Sequence, residues 1–207
     1  ERGIRSLCQP IVSGGEGTAR CIVMSVAPPS GERSFAYTNG NAERFEVSDF
    51  KPFDFRSVKF TVIEGLLLQS PIAGSAVTWV LERGLEDCRI VVSLHGTHSW
   101  SSNPQTAARI ARSAAVICGT FVEQRDFASA VSLDESSLGH RPAIVTTLGA
   151  NGAKLTRGGL TMHVDAVKLP ATQIVSAVGA GDAFLGAFVA SLAMGRDEAE
   201  ALSIASL

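Results

Sequence analysis

Charge is scarce in this 207-residue sequence: 18% of residues are Asp, Glu, Lys or Arg, against roughly 25% in an ordinary soluble domain. Neither sign dominates, with 18 basic and 20 acidic residues and a formal net charge of -2. No basic excess exists to neutralise a phosphate backbone, so nucleic acid is not an expected partner. Low charge and 45% hydrophobic content also exclude disorder over most of the chain, since that much apolar surface builds a core. No two of the four cysteines, Cys8, Cys21, Cys88 and Cys118, form a Cys-x-x-Cys pair. This argues against structural zinc and for reduced thiols in a cytoplasmic protein. The longest apolar run, residues 183–194, falls short of the roughly 18 residues that span a bilayer. Neither a membrane partner nor a signal peptide is expected. No internal repeat is visible. No Gly-x-Gly-x-x-Gly follows an early strand, which ranks a dehydrogenase low. The first residue is Glu1 rather than methionine, and the complete protein is expected to extend past both ends shown.

What is present changes character after about forty residues. Strand-like stretches at 20–26 and 33–38 flank Pro28-Pro29-Ser30-Gly31, which predicts a hairpin. Such a hairpin is not stable alone and must lie against a core or a partner chain. Beyond Phe45 the pattern alternates. Strands are expected at 58–63, 89–94, 115–118 and 143–147, and helices at 72–83, 104–112 and 123–130. A second hairpin, 153–156 with 161–164, crosses Gly158-Gly159, and a long helix runs from Gly179 to Met194. Asp197 is placed to cap one more helix. This order predicts β-α-β units, a parallel sheet and ligands at the carboxyl ends of its strands. Three segments leave strand ends that way, from Ser93, Gly119 and Thr147, and the loop at Gly179 can join them.

The strongest chemical signal is Val178-Gly179-Ala180-Gly181-Asp182-Ala183-Phe184. Small residues let the backbone turn tightly and approach a ligand. The helix that follows is apolar on nearly every side, which predicts that it is buried and that its start lies inside the protein. Free N–H groups at such a start form an anion site, with the Asp182 carboxylate beside it. That combination suits phosphoryl transfer, in which amides hold the moving charge and a carboxylate accepts the proton of an attacking hydroxyl. On spacing alone a plain helix start, with Asp182 merely favoured by the dipole, fits equally well. His95-Gly96-Thr97-His98 shows no third metal ligand and reads as a loop. Arg33 and Tyr37 read as solvent-exposed strand residues ahead of acceptor contacts.

Gly-Ala-Gly-Asp-Ala-Phe leading into a small and apolar helix resembles the signature of the ribokinase-like (PfkB-type) carbohydrate and nucleoside kinases. The segment Thr146-Thr147-Leu148-Gly149-Ala150-Asn151-Gly152 resembles that family's Thr-Leu-Gly-x-x-Gly stretch. Thr120-Phe121-Val122-Glu123 lies where the family has Asn-x-x-Glu. Residues 18–33 resemble its lid hairpin and, with Glu64-Gly65-Leu66-Leu67, look most like the adenosine-kinase-like branch. The resemblance implies an α/β fold: a three-layer α/β/α ribokinase-like core over 43–207, C-terminally incomplete, with a partial β lid over 1–42.

The resemblance further implies an ATP-dependent kinase that phosphorylates a hydroxyl of a sugar or nucleoside. Asp182 is the implied general base, and Gly179, Ala180 and Gly181 the anion hole. Thr120, Thr147, Gly149 and Gly152 are implied to line the ATP site, and Glu123 to position Mg²⁺. A homodimer through the lid is also implied. Several positions depart from the family. Ser176-Ala177 stands where Asp-Thr is usual, which predicts weak activation by K⁺, and Thr120 replaces Asn. The strand at 89–94 lacks Asp-x-Asn-x-Arg, and the N-terminal Gly-Gly acceptor motif has no counterpart. These departures keep open a non-catalytic ribokinase-like protein that binds a nucleoside or sugar.

Overall fold

The computed structural model describes residues 17–25, 33–38, 40–41, 46–50, 58–66, 71–84, 89–95, 98–102, 104–132, 142–174 and 176–207. The expected turn at 28–31 and Gly96-Thr97 lie outside them. Strands β1 (Arg20–Ser25) and β2 (Arg33–Thr38) pair antiparallel, from Arg20 opposite Thr38 to Ser25 opposite Arg33. Opposed residues share a face, so Val23, Phe35 and Tyr37 lie on one side and Ile22 and Met24 on the other. All five are exposed.

The remaining strands form one six-stranded sheet in chain order: β3 (Phe60–Glu64), β4 (Arg89–Ser93), β5 (Val116–Thr120), β6 (Ala143–Thr147), β7 (Ala153–Arg157) and β8 (Leu160–Val164). β3 to β6 run parallel, while β7 and β8 are antiparallel additions. The sheet is therefore mixed rather than purely parallel. Parallel neighbours need a crossover of a dozen or more residues, and only 148–152 separate β6 from β7. Gly152 makes this reversal feasible: its φ is 84°, and a Cβ there would overlap the Val164 carbonyl.

Helices cover both sheet faces, which gives three layers. On one face, Ile63, Ile90, Val92, Leu94, Ile117 and Ile144 form a core with four helices. These are α1 (Pro71–Gly84), α2 (His98–Ser102), α3 (Pro104–Ser113) and α4 (Phe121–Ala130). The short helix α2 is not expected from the sequence, which has no apolar period there. Its anchor is Trp100, fully buried with its ring edge-on to Phe127 at 4.9 Å between centroids. On the opposite face, Val91, Val116, Cys118, Val145 and Leu155 pack with α5 (Ala180–Ala193) and α6 (Glu198–Ala205). Burial on both sides explains why β4 and β5 read as unbroken apolar runs.

Polar ties hold the layers in register. Gln124 of α4 is buried, accepts from Thr146 Oγ1 at 2.9 Å and donates to the Val145 carbonyl at 2.9 Å. Arg157 of β7 donates to Glu198 of α6 at 3.0 Å and to the Ala115 carbonyl at 3.2 Å. No helix among the described residues is long and apolar enough to cross a membrane.

Candidate active site

The carboxyl ends of β3, β4, β5 and β6 form one edge, with β5 and β6 running two residues past β3 and β4. Glu64 lies beside Ser93, Ser93 beside Cys118, and Thr120 beside Thr147. α4 leads directly out of β5 at this edge. α5 ends at the opposite edge, where the Ala193 carbonyl accepts from Lys59 Nζ just ahead of β3 at 2.9 Å, so its start, after Gly179, lies toward the carboxyl edge.

The start of α4 is closed by its own side chains. Thr120 is the N-cap, and its Oγ1 accepts from the Glu123 N–H at 3.3 Å. Glu123 Oε2 accepts from the Thr120 N–H at 2.7 Å and from Thr120 Oγ1 at 3.0 Å. This reciprocal capping box satisfies two of the helix's orphan donors. It also gives Thr120 a structural reason to be threonine, since an N-cap favours a short hydroxyl.

The start of α5 is open. Gly179 holds it with φ 80°, the left-handed region that glycine occupies freely, and no side chain caps it. Residues 179–183 are exposed, and a Cβ at Gly179 or Gly181 would meet nothing within 4 Å. The expectation that this helix is buried all round, with its start inside the protein, is therefore corrected. Only Leu185, Phe188 and Ser191 are buried. One stripe packs on the sheet and α6, with Phe184, Val189 and Leu192 partly buried beside it; apolar composition alone does not say which sides find a partner.

The site residues inferred from sequence divide in three. Thr120, Glu123 and Thr147 share the strand edge. Asp182 is exposed in the first turn of α5. Gly149 is exposed just past β6 with φ 59°, and a side chain there would meet open space. Gly152 is buried at the turn into β7, so its glycine character is explained by backbone crowding.

Two ionisable residues at this edge, His95 and Cys118, read from sequence only as part of a loop and as a reduced thiol. His95 Nδ1 lies 2.8 Å from Glu64 Oε2 and 3.2 Å from Ser93 Oγ. The hydrogen bond to Glu64 raises the His95 pKa above the usual 6.5, against partial burial that lowers it, and the charges of Glu64, Glu123 and Asp182 add to the rise. The available signal was an acid and a histidine at the ends of consecutive strands. Cys118, one residue deeper, is buried, and its thiol is pushed up to about 12 by burial and then by Glu123 and Glu64. It is a packing residue rather than a nucleophile.

The profile of the pfkB family carbohydrate kinases matches residues 1–207. The chain belongs to the pfkB carbohydrate kinase family. The fold of this pfkB family member is similar to that of adenosine kinase from Sinorhizobium meliloti, with TM-score 0.80 and 20% identity, over 94% of this chain and 60% of that one. Adenosine kinase from Schistosoma mansoni, in complex with 2-fluoroadenosine, gives TM-score 0.79 at 16% identity, over 94% and 62%. Ribokinase from Thermotoga maritima gives 0.71 at 14%, over 91% and 61%. The chain thus spans about three fifths of the length of these structures. No curated protein matches it. The ribokinase-like fold expected from Gly-Ala-Gly-Asp is the fold observed.

Proposed function

We propose that this pfkB family member acts in ATP-dependent phosphorylation of a hydroxyl on a sugar or nucleoside. The carrying observation is the uncapped, solvent-open start of α5 with a carboxylate in its first turn, at the same edge as Thr120, Glu123 and Thr147. Amides at a helix start that no side chain caps attract anions, and here they have room for a phosphoryl group. Asp182 would accept the proton of the acceptor hydroxyl as its oxygen attacks phosphorus. Gly179 and Gly181 would hold the charge on the transferred group through backbone N–H groups, while the Ala180 N–H implied for the same role donates to the Ala177 carbonyl at 3.3 Å. Thr147 and Gly149 would line the nucleotide's approach beyond β6, and Thr120 would do so beyond β5.

Among the described residues no group of three or more His, Cys, Asp and Glu side chains is arranged to hold a metal ion. Mg²⁺ does not need one: it keeps several waters and takes one or two carboxylates plus substrate phosphates. Glu123 fits that role, because the capping box engages its Oε2 and leaves Oε1. Bound there, Mg²⁺ would neutralise charge on the nucleotide phosphates. Gly152 contributes by shaping the turn that carries Gly149.

A homodimer through the β1–β2 ribbon is part of the same proposal, supported by exposed apolar residues on both faces of the ribbon. Free thiols at Cys21 and Cys118 support a cytoplasmic setting. One observation favours the second reading, a non-catalytic binder of nucleosides or sugars: Glu123 is drawn into its own helix cap. ATP consumption by the complete gene product across a panel of nucleosides and sugars separates the two. Turnover with at least one acceptor supports the kinase, and acceptor binding without turnover supports the binder.

A further inference from the structure

The α5 side of the strand edge carries a feature that neither packing nor the sequence motifs account for. Ser93 and Cys118 are register neighbours, and Cys118 and Val91 pack in the core that includes Leu185 and Phe188 of α5. Alternation along the strands puts Glu64 and Ser93 on that same side. His95 joins this row through its Nδ1, held by Glu64 Oε2 at 2.8 Å and Ser93 Oγ at 3.2 Å. A ring nitrogen facing a carboxylate is the one that carries the proton. Nε2 is left without a protein partner among the described residues.

An ion pair with side chains 39% and 40% exposed adds little stability, and neither residue caps a helix. What the pair does is orient the ring just past β4, on the α5 side of the sheet, and favour its protonated form, in which Nε2 is a donor. The acceptor oxygen that Asp182 serves meets only the terminal phosphorus of a nucleotide. We propose that His95, oriented by Glu64 and Ser93, is a further phosphate-contacting residue that donates its Nε2–H to the γ-phosphoryl group.

This inference rests on the kinase reading above. As the acceptor oxygen bonds to the γ-phosphorus, the bond to the β,γ-bridging oxygen breaks and its electron pair leaves with ADP. The acceptor's proton passes to Asp182. His95 keeps its proton and offsets negative charge on the phosphoryl oxygens throughout.

The test is calorimetric titration of ADP and of β,γ-methylene-ATP, each with Mg²⁺, into the complete gene product and its His95→Gln and Glu64→Gln variants. In His95→Gln the affinity for the ATP analogue falls about tenfold or more, the range for a hydrogen bond to a charged group. Its ADP affinity stays unchanged, which also shows that the variant is folded. Glu64→Gln shifts the same preference in the same direction by a smaller factor. Equal losses for both nucleotides, or none, overturn the inference while leaving the kinase reading standing. A wild-type protein that binds neither nucleotide overturns both.

Discussion

The helices α4 and α5 begin at the same edge of the sheet and treat their first amides in opposite ways. In α4, Thr120 and Glu123 turn back on the backbone and close the start. In α5, Gly179, Ala180 and Gly181 have no side chain that could do so, and Asp182 leaves the start uncapped. Capping is worth about 1 kcal/mol of stability, so a helix that forgoes it keeps its donors for something else. The contrast teaches where to look for a ligand: the start of α4 is closed by its own side chains, and the start of α5 is open where the phosphoryl site is proposed. The cysteine and histidine near the edge sharpen the same point. Cys118 is buried and chemically quiet, while His95 two strand positions further out, in register terms, is polar, paired and accessible.

Substitutions that act on one helix start and spare the other test this contrast. The largest effect is expected from Asp182→Asn, which keeps size and removes the base. Turnover of the complete gene product falls by at least about 10²-fold, the usual contribution of a positioned base. Its stability drops only by roughly 0.3–1 kcal/mol, from a lost charge at the helix start. Near-normal kcat would reduce Gly-Ala-Gly-Asp to a packing motif. At the other helix, Thr120→Ala opens the capping box and costs about 1 kcal/mol, a fall in Tm of roughly 2–4 °C for a domain of this size. An unshifted melting curve would show that the box does not hold α4. Gly179→Ala meets no steric obstacle, so only the left-handed backbone resists it. A loss of about 1 kcal/mol in denaturant unfolding is expected from that strain alone.

The smallest effect concerns pH. Because the folded protein raises the His95 pKa above 6.5, the protonated ring stabilises the fold below that value, and the gain is lost as pH rises through the raised pKa. The contribution stays below about 1 kcal/mol, since the pair is more than a third exposed. Melting temperatures at pH 6 and pH 8.5 should converge in His95→Gln relative to wild type. Identical pH dependence in the two proteins would mean that Glu64 does not hold the ring in solution.

Local chemistry was the readable part of the sequence. Gly158-Gly159 marks the β7–β8 turn, Asp197 caps α6 through the Glu200 N–H at 2.8 Å, and Ala143–Thr147 is a strand with the bounds expected. Alternating strand and helix signals led to the layered α/β architecture. What could not be read depends on contacts far apart in the chain. α2 exists because Trp100 finds Phe127, which no local period announces. The burial of α5 was overestimated because its apolar residues say that sides can be buried, and only packing says which are. Glu64 and His95 meet through the β3–β4 register, 31 residues apart. Thr120 looked like a loss relative to the family's Asn, and the structure shows it making a cap of its own.

The most direct test follows backbone amide resonances of the complete gene product during titration with β,γ-methylene-ATP and Mg²⁺. An anion seated at an open helix start moves the N–H signals it touches, while donors already bonded to a side chain stay put. The expected result is saturable shifts at Gly179, Gly181 and Asp182, with the Ala180 amide, bonded to the Ala177 carbonyl, moving less and the capped Glu123 amide of α4 moving least. Shifts confined to α4, with residues 179–182 silent at saturation, would contradict the assignment of the α5 start as the phosphoryl site.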